Sequence, residues 1–152
     1  MRIDFRIRPP FKSFLGTHMF NERAADPDPV TINAFMLNMP YYRSFEEKSM
    51  DAFLEEMDEA LIDVGVIVGR QAPPPYGGAS NDDVAELVSL YPDRFLGFGS
   101  IDYEAGDYAA QVDAIHALGL KGIGLDSPWW DFYDDDPALF PIYERAQELG
   151  LI

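Results

Sequence analysis

Two arginines, Arg6 and Arg8, close the first apolar run of the chain, Ile3-Asp4-Phe5-Arg6-Ile7-Arg8, just ahead of Pro9-Pro10. Strand alternation puts Asp4, Arg6 and Arg8 on one face and Ile3, Phe5 and Ile7 on the other. A third arginine, Arg70, ends the apolar run 64–69; Asp102 follows the run 95–101, and Asp126 follows 121–125. Guanidinium forks match carboxylate and phosphate, so arginines gathered at strand ends would make an anion site. Asp126 or Asp102 would act beside them as general base, or would neutralise an arginine. Without a ligand, the same residues form a charge network of Asp4, Arg6, Arg8 and an acidic neighbour.

Other residues have two readings each. Trp129 and Trp130, with Phe132 and Tyr133, would form one wall of a substrate pocket, or would cover the strand ends. His18 lies in a long loop and would serve as acid, base or ligand, or face solvent. His116 sits on a helix, at its surface or packing face. Asp134-Asp135-Asp136 would hold a hard cation, or form a solvated lead into a helix N-terminus.

The elements that must position these residues follow a regular rhythm. Pro9 and Pro10 stop the first strand. A long irregular stretch, residues 11–43, carries prolines and scattered aromatics, with a short helix expected over 30–37. Ser44 with Glu47 makes a capping box for a helix whose buried stripe is Met50, Phe53, Leu54, Met57 and Leu61. Strand 64–69 is apolar throughout, as in parallel sheets covered on both faces. Asn81 caps the next helix, strand 95–101 follows, and a helix over 107–118 ends at Gly119. Strand 121–125 leads through the aromatic loop to a helix begun by Asp136-Pro137, and Leu151-Ile152 resembles the start of a fifth strand.

A repeat of roughly 30 residues with short turns is a βα unit. Both a (β/α)8 barrel and a doubly wound sheet fit it. The barrel is favoured because Gly65, Gly97, Gly99, Gly122 and Gly124 suit a tightly curved sheet. Neither Gly97-Phe98-Gly99 nor Gly122-Ile123-Gly124 is a phosphate-binding fingerprint, since each lies inside a strand and lacks the third glycine. The fold expected is α/β: residues 1–152 as one partial domain, the N-terminal half (strands 1–4 with their helices) of a TIM barrel. A full barrel takes about 250 residues. The open strand edges call for a homo-oligomer or a completing second half.

The 152 residues are 47% hydrophobic and 14% aromatic, which excludes disorder, and the net charge is -16. That charge disfavours nucleic acid and anionic membrane as partners; the expected partner, a small-molecule carboxylate, rests on the arginines. With no cysteine, disulfides and thiolate metal sites are excluded. With no leader or membrane span in view, a soluble cytoplasmic protein is expected.

Several stretches together resemble the amidohydrolase superfamily, in the branch that includes aminocarboxymuconate-semialdehyde decarboxylase. They are Ile3-Asp4-Phe5-Arg6-Ile7-Arg8-Pro9-Pro10, the run from Phe53 to Ala60 leading into Asp63-Val64-Gly65-Val66-Ile67-Val68-Gly69-Arg70, Tyr91-Pro92-Asp93-Arg94-Phe95, Leu118-Gly119-Leu120-Lys121-Gly122-Ile123 and Leu139-Phe140-Pro141-Ile142-Tyr143. The resemblance implies a TIM barrel. It implies a hydrolase acting on a small carboxylated, possibly aromatic, compound; alternatives are a lyase (decarboxylase or hydratase) and a metal-free ligand-binding barrel. Many members hold a divalent metal, zinc or manganese, with a His-x-His pair on the first strand. Here Arg6 and Arg8 stand in those places, and arginine is not a metal ligand. The resemblance therefore transfers no metal-binding residue to this chain.

Overall fold

In the computed structural model, residues 1–17, 20, 42–73, 77–126, 130 and 133–152 are described. Among them, four strands form one parallel sheet in chain order: β1 (Ile3–Ile7), β2 (Val64–Val68), β3 (Phe95–Ser100) and β4 (Gly122–Gly124). Five α-helices accompany them: α1 (Arg43–Glu47), α2 (Met50–Glu59), α3 (Asn81–Leu90), α4 (Tyr108–Ala117) and α5 (Phe140–Leu149). Short 3-10 turns span Lys12–Gly16 and Pro137–Leu139. The helix expected over 30–37 lies outside the described residues.

The registers pair Gly65 with Phe95 and Phe98 with Gly122, so all four strand ends point the same way. Next to β4, the Ile123 amide donates to the Ile152 carbonyl at 2.8 Å and the Ile152 amide to the Lys121 carbonyl at 3.1 Å. Leu151-Ile152 thus begins to extend the sheet, as expected.

The sheet has an outward face under the helices and an inward face. On the outward face Ile67, Phe95, Val84, Leu87, Val112, Ile115 and Ile142 form the main core. Val66, Val68 and Phe98 form a smaller cluster on the inward face. The strand glycines let the helices close on the sheet. A Cβ on Gly99 would lie 2.6 Å from Cγ1 of Ile115, and one on Gly97 would lie 2.6 Å from Cδ2 of Leu120.

Four local expectations need correction. The helix after residue 43 is broken at Lys48, which takes φ 51°, and Ser49 caps α2 by accepting from the Ala52 amide. Ser44 is buried and bonds Glu56 on α2 instead of pairing with Glu47. Leu61 is exposed and left-handed rather than part of the buried stripe. Ser80, not Asn81, caps α3, accepting from the Asp83 amide at 3.1 Å.

Candidate active site

A break in the geometry of β1 brings two arginines to one place. Arg6 has φ 98°, a region disfavoured for residues with a Cβ. Pairing with β2 skips it, with Phe5 opposite Val66 and Ile7 opposite Ile67. Such a bulge adds one residue and reverses the facing of everything after it. Phe5 faces inward and meets Phe98 edge-on, ring centroids 5.5 Å apart. Ile7 faces outward, where a Cβ on Gly65 would collide with its Cδ1. By alternation Arg8 returns to the inward side, level with Val68. The expected faces are therefore corrected: Asp4 and Ile7 point outward and line a groove against α2 with Phe53 and Met57, while Ile3, Phe5 and Arg8 point inward.

The bulged Arg6 crosses the strand ends, its Nη2 donating to Asp126 Oδ1 at 3.4 Å. Arg6 is 58% exposed and Asp126 13% exposed, so the pair forms the rim of the mouth. Arg8 is half-buried, and its Nη1 donates to the carbonyl of Ile7 at 3.5 Å. Burial, then the like charge of Arg6, push the Arg8 guanidinium down to about 10; Asp126 opposes the shift and Arg70 adds to it. Arg8 therefore lies within electrostatic reach of Arg6, Asp126 and Arg70. Arg70 itself is buried just past β2, where its backbone exchanges two 2.8 Å hydrogen bonds with Ala79.

Tyr103 and Trp130 complete the surroundings. Trp130 donates from Nε1 to the carbonyl of Gln71, the residue after Arg70, at 3.1 Å. Its ring lies 6.0 Å from that of Tyr103. Burial, aided by the charge of Asp126, raises the Tyr103 phenol well above its ordinary range, so it remains an O–H. Sequence reasoning missed Tyr103, because nothing in its local pattern marks a tyrosine three residues beyond β3.

The remaining candidates do not join this group. The carboxylate of Asp102 accepts from the amides of Glu104 and Ala105 at 3.0 and 3.2 Å, the bonds of an Asx turn, so its place is structural. Ser100 is buried and held by Asn81, whose Oδ1 accepts from the Ser100 amide at 2.8 Å and whose Nδ2 donates to its carbonyl at 3.0 Å. Asp136 caps the turn at Pro137–Leu139. His116 is exposed on α4. His18 and Trp129 lie outside the described residues.

A divalent metal does not suit the end of β1. Guanidinium groups are donors only and offer no lone pair. Asp126, the carboxylate beside them, is bonded to Arg6. Among the described residues no three His, Cys, Asp or Glu side chains gather as a metal-binding group.

Residues 17–152 match the family described as Amidohydrolase. The chain belongs to the amidohydrolase family. Over 72 residues it is 40% identical to 2-amino-3-carboxymuconate-6-semialdehyde decarboxylase of Dictyostelium discoideum, a match covering 46% of this chain and 20% of that protein. An uncharacterised TIM-barrel protein from Bordetella bronchiseptica is 35% identical, with TM-score 0.81 over 97% of this chain and 52% of that one. The manganese-bound 5-carboxyvanillate decarboxylase of Novosphingobium aromaticivorans shares the fold at 20% identity, with TM-score 0.63 over 99% of this chain and 49% of that one. This amidohydrolase chain thus spans about half the length of the barrels it matches, and its four-stranded sheet corresponds to half a barrel.

Proposed function

We propose that this amidohydrolase is a lyase that removes CO2 from a small carboxylated compound held by Arg8 and Arg70. The observation that carries the reading is Arg6 bonded to Asp126 at the strand ends, where barrel enzymes place their sites, with both of these and Arg70 acting on the half-buried Arg8. The similarity to the Dictyostelium decarboxylase favours the lyase over the hydrolase expected first from the sequence.

In such a reaction the bond between the carboxyl carbon and its substrate carbon breaks. The electron pair stays on the substrate carbon, neutral CO2 leaves, and a proton from solvent takes its place. A carboxylate gripped by a buried guanidinium is stabilised before the reaction and loses that stabilisation as it turns into CO2. Arg8 and Arg70 therefore suit a carboxylate that stays on the product. Asp126 fixes the direction of Arg6, and Tyr103 with Trp130 supplies an aromatic wall.

The test is CO2 release by the full-length protein from a panel of carboxylated benzoates and muconates. Release from at least one acid, lost in Arg8→Gln, is expected. A hydrolytic product without CO2, or no turnover of any acid, would reject the lyase.

A further inference from the structure

We infer that Arg6 and Arg8 form a fixed cationic pair at the end of β1, in place of a metal, and bind a ligand bearing two carboxylates at two depths. This rests on the carboxylate reading above and specifies its ligand.

The two guanidiniums differ in depth and share one mouth. Arg8 lies half-buried on the inward face beside Arg70, while Arg6 stands at the rim. Each fork has five N–H donors. Among the described residues, Arg8 makes one side-chain hydrogen bond, at 3.5 Å to a neighbouring carbonyl, and Arg6 makes one, at 3.4 Å to Asp126. Neither is the short bidentate contact that a guanidinium makes with a committed carboxylate. Both forks thus retain donors for an anion, and their like charges repel until one enters.

The bulge is what allows two sites instead of one. In a regular strand Arg6 and Arg8 would project in parallel, about 7 Å apart along the same row. With Arg6 displaced from the ladder at φ 98°, its side chain crosses to Asp126, just past β4, while Arg8 stays by the end of β1, its Nη1 on the Ile7 carbonyl. Asp126 competes for Arg6 but opposes the positive neighbours of Arg8 only from a distance. The rim site is therefore the weaker holder and suits a carboxylate that departs. The deep site suits the one that remains. A divalent cation placed here would face two permanent positive charges and a single carboxylate, so the pair repels the ion and attracts the dianion.

Calorimetric titration of the full-length protein with isophthalate and with benzoate tests this, before and after dialysis against EDTA, with metal content read by mass spectrometry. Isophthalate is expected to bind at least tenfold more tightly than benzoate, unchanged by EDTA. Arg6→Gln should reduce isophthalate to the affinity that this variant shows for benzoate, with circular dichroism confirming the fold. Equal affinities, binding of neither acid, or isophthalate binding lost with EDTA and restored by MnCl2 would overturn the inference. The outcomes separate from those of the lyase: metal-independent dicarboxylate binding without CO2 release rejects only the lyase, and CO2 release with EDTA-sensitive binding rejects only the cationic pair.

Discussion

Replacing Arg6 by glycine should stabilise the protein relative to alanine at the same position, the reverse of the usual order within a strand. Both substitutions remove the guanidinium and its exposed contact with Asp126, so they differ only in backbone terms. A side chain held in a sparsely populated positive-φ conformation costs about 1–3 kcal/mol, and Arg6 stands at φ 98°. Glycine avoids that strain but adds unfolded-state entropy, a penalty of about 0.5–1 kcal/mol against alanine. The balance favours glycine by about 1 kcal/mol, or about 2–4 °C in Tm for a domain of this size. Thermal and urea unfolding of Arg6→Gly and Arg6→Ala, followed by circular dichroism, measures the difference. Both variants should lose the rim site equally. If alanine matched or exceeded glycine, position 6 would carry no strain, and the bulge could not be what aims the two arginines.

Four further outcomes follow from the structure. Carboxylate affinity should be flat from pH 7 to 9 and fall by about tenfold per unit above the lowered Arg8 value of about 10, because the anion needs the protonated guanidinium; affinity sustained to pH 11 would contradict the assignment. The same depression means that burying the Arg8 charge destabilises the fold at neutral pH, and that this cost lessens as pH rises through about 10. Asn81→Ala should lower stability by about 2–3 kcal/mol in urea unfolding, since it leaves the part-buried amide and carbonyl of Ser100 without their partner. Ile3, Phe5 and Leu96 are exposed on the inward face, so light scattering should give a solution mass above 17.1 kDa as further strands or a second copy cover it; a stable monomer of that mass would contradict this.

The parallel sheet could be read from the sequence because its signals are local and repeated. Apolar runs such as Val64-Gly65-Val66-Ile67-Val68 alternate with amphipathic helices, and Gly97 and Gly99 leave the room that Leu120 and Ile115 fill. The arginine mouth was also visible, although for an incomplete reason. Alternation grouped Arg6 with Arg8, but the positive φ of Arg6 is what sends them to different depths, and no arginine announces a bulge by its type. Cap choices failed where two competent residues adjoin. Ser80 and Asn81 both suit an N-cap, and tertiary contact decides, since Asn81 is engaged by Ser100 across nineteen residues of chain. Asp102 looked like an acid at a strand end, yet its neighbours fold back as a turn whose amides, from Glu104 and Ala105, both bond its Oδ1. Tyr103 enters the site only through the packing of Trp130 and the proximity of Asp126, contacts between loops that periodicity does not encode.

The central claim is that a guanidinium at the end of β1 holds a substrate carboxylate. The most direct measurement is the affinity of benzoate for the full-length protein and for Arg8→Gln at pH 7.5 by calorimetry. A charge-assisted hydrogen bond contributes about 1.5–3 kcal/mol, so the variant should bind about 10- to 100-fold more weakly while keeping its fold. Unchanged affinity in a folded Arg8→Gln protein would contradict the account.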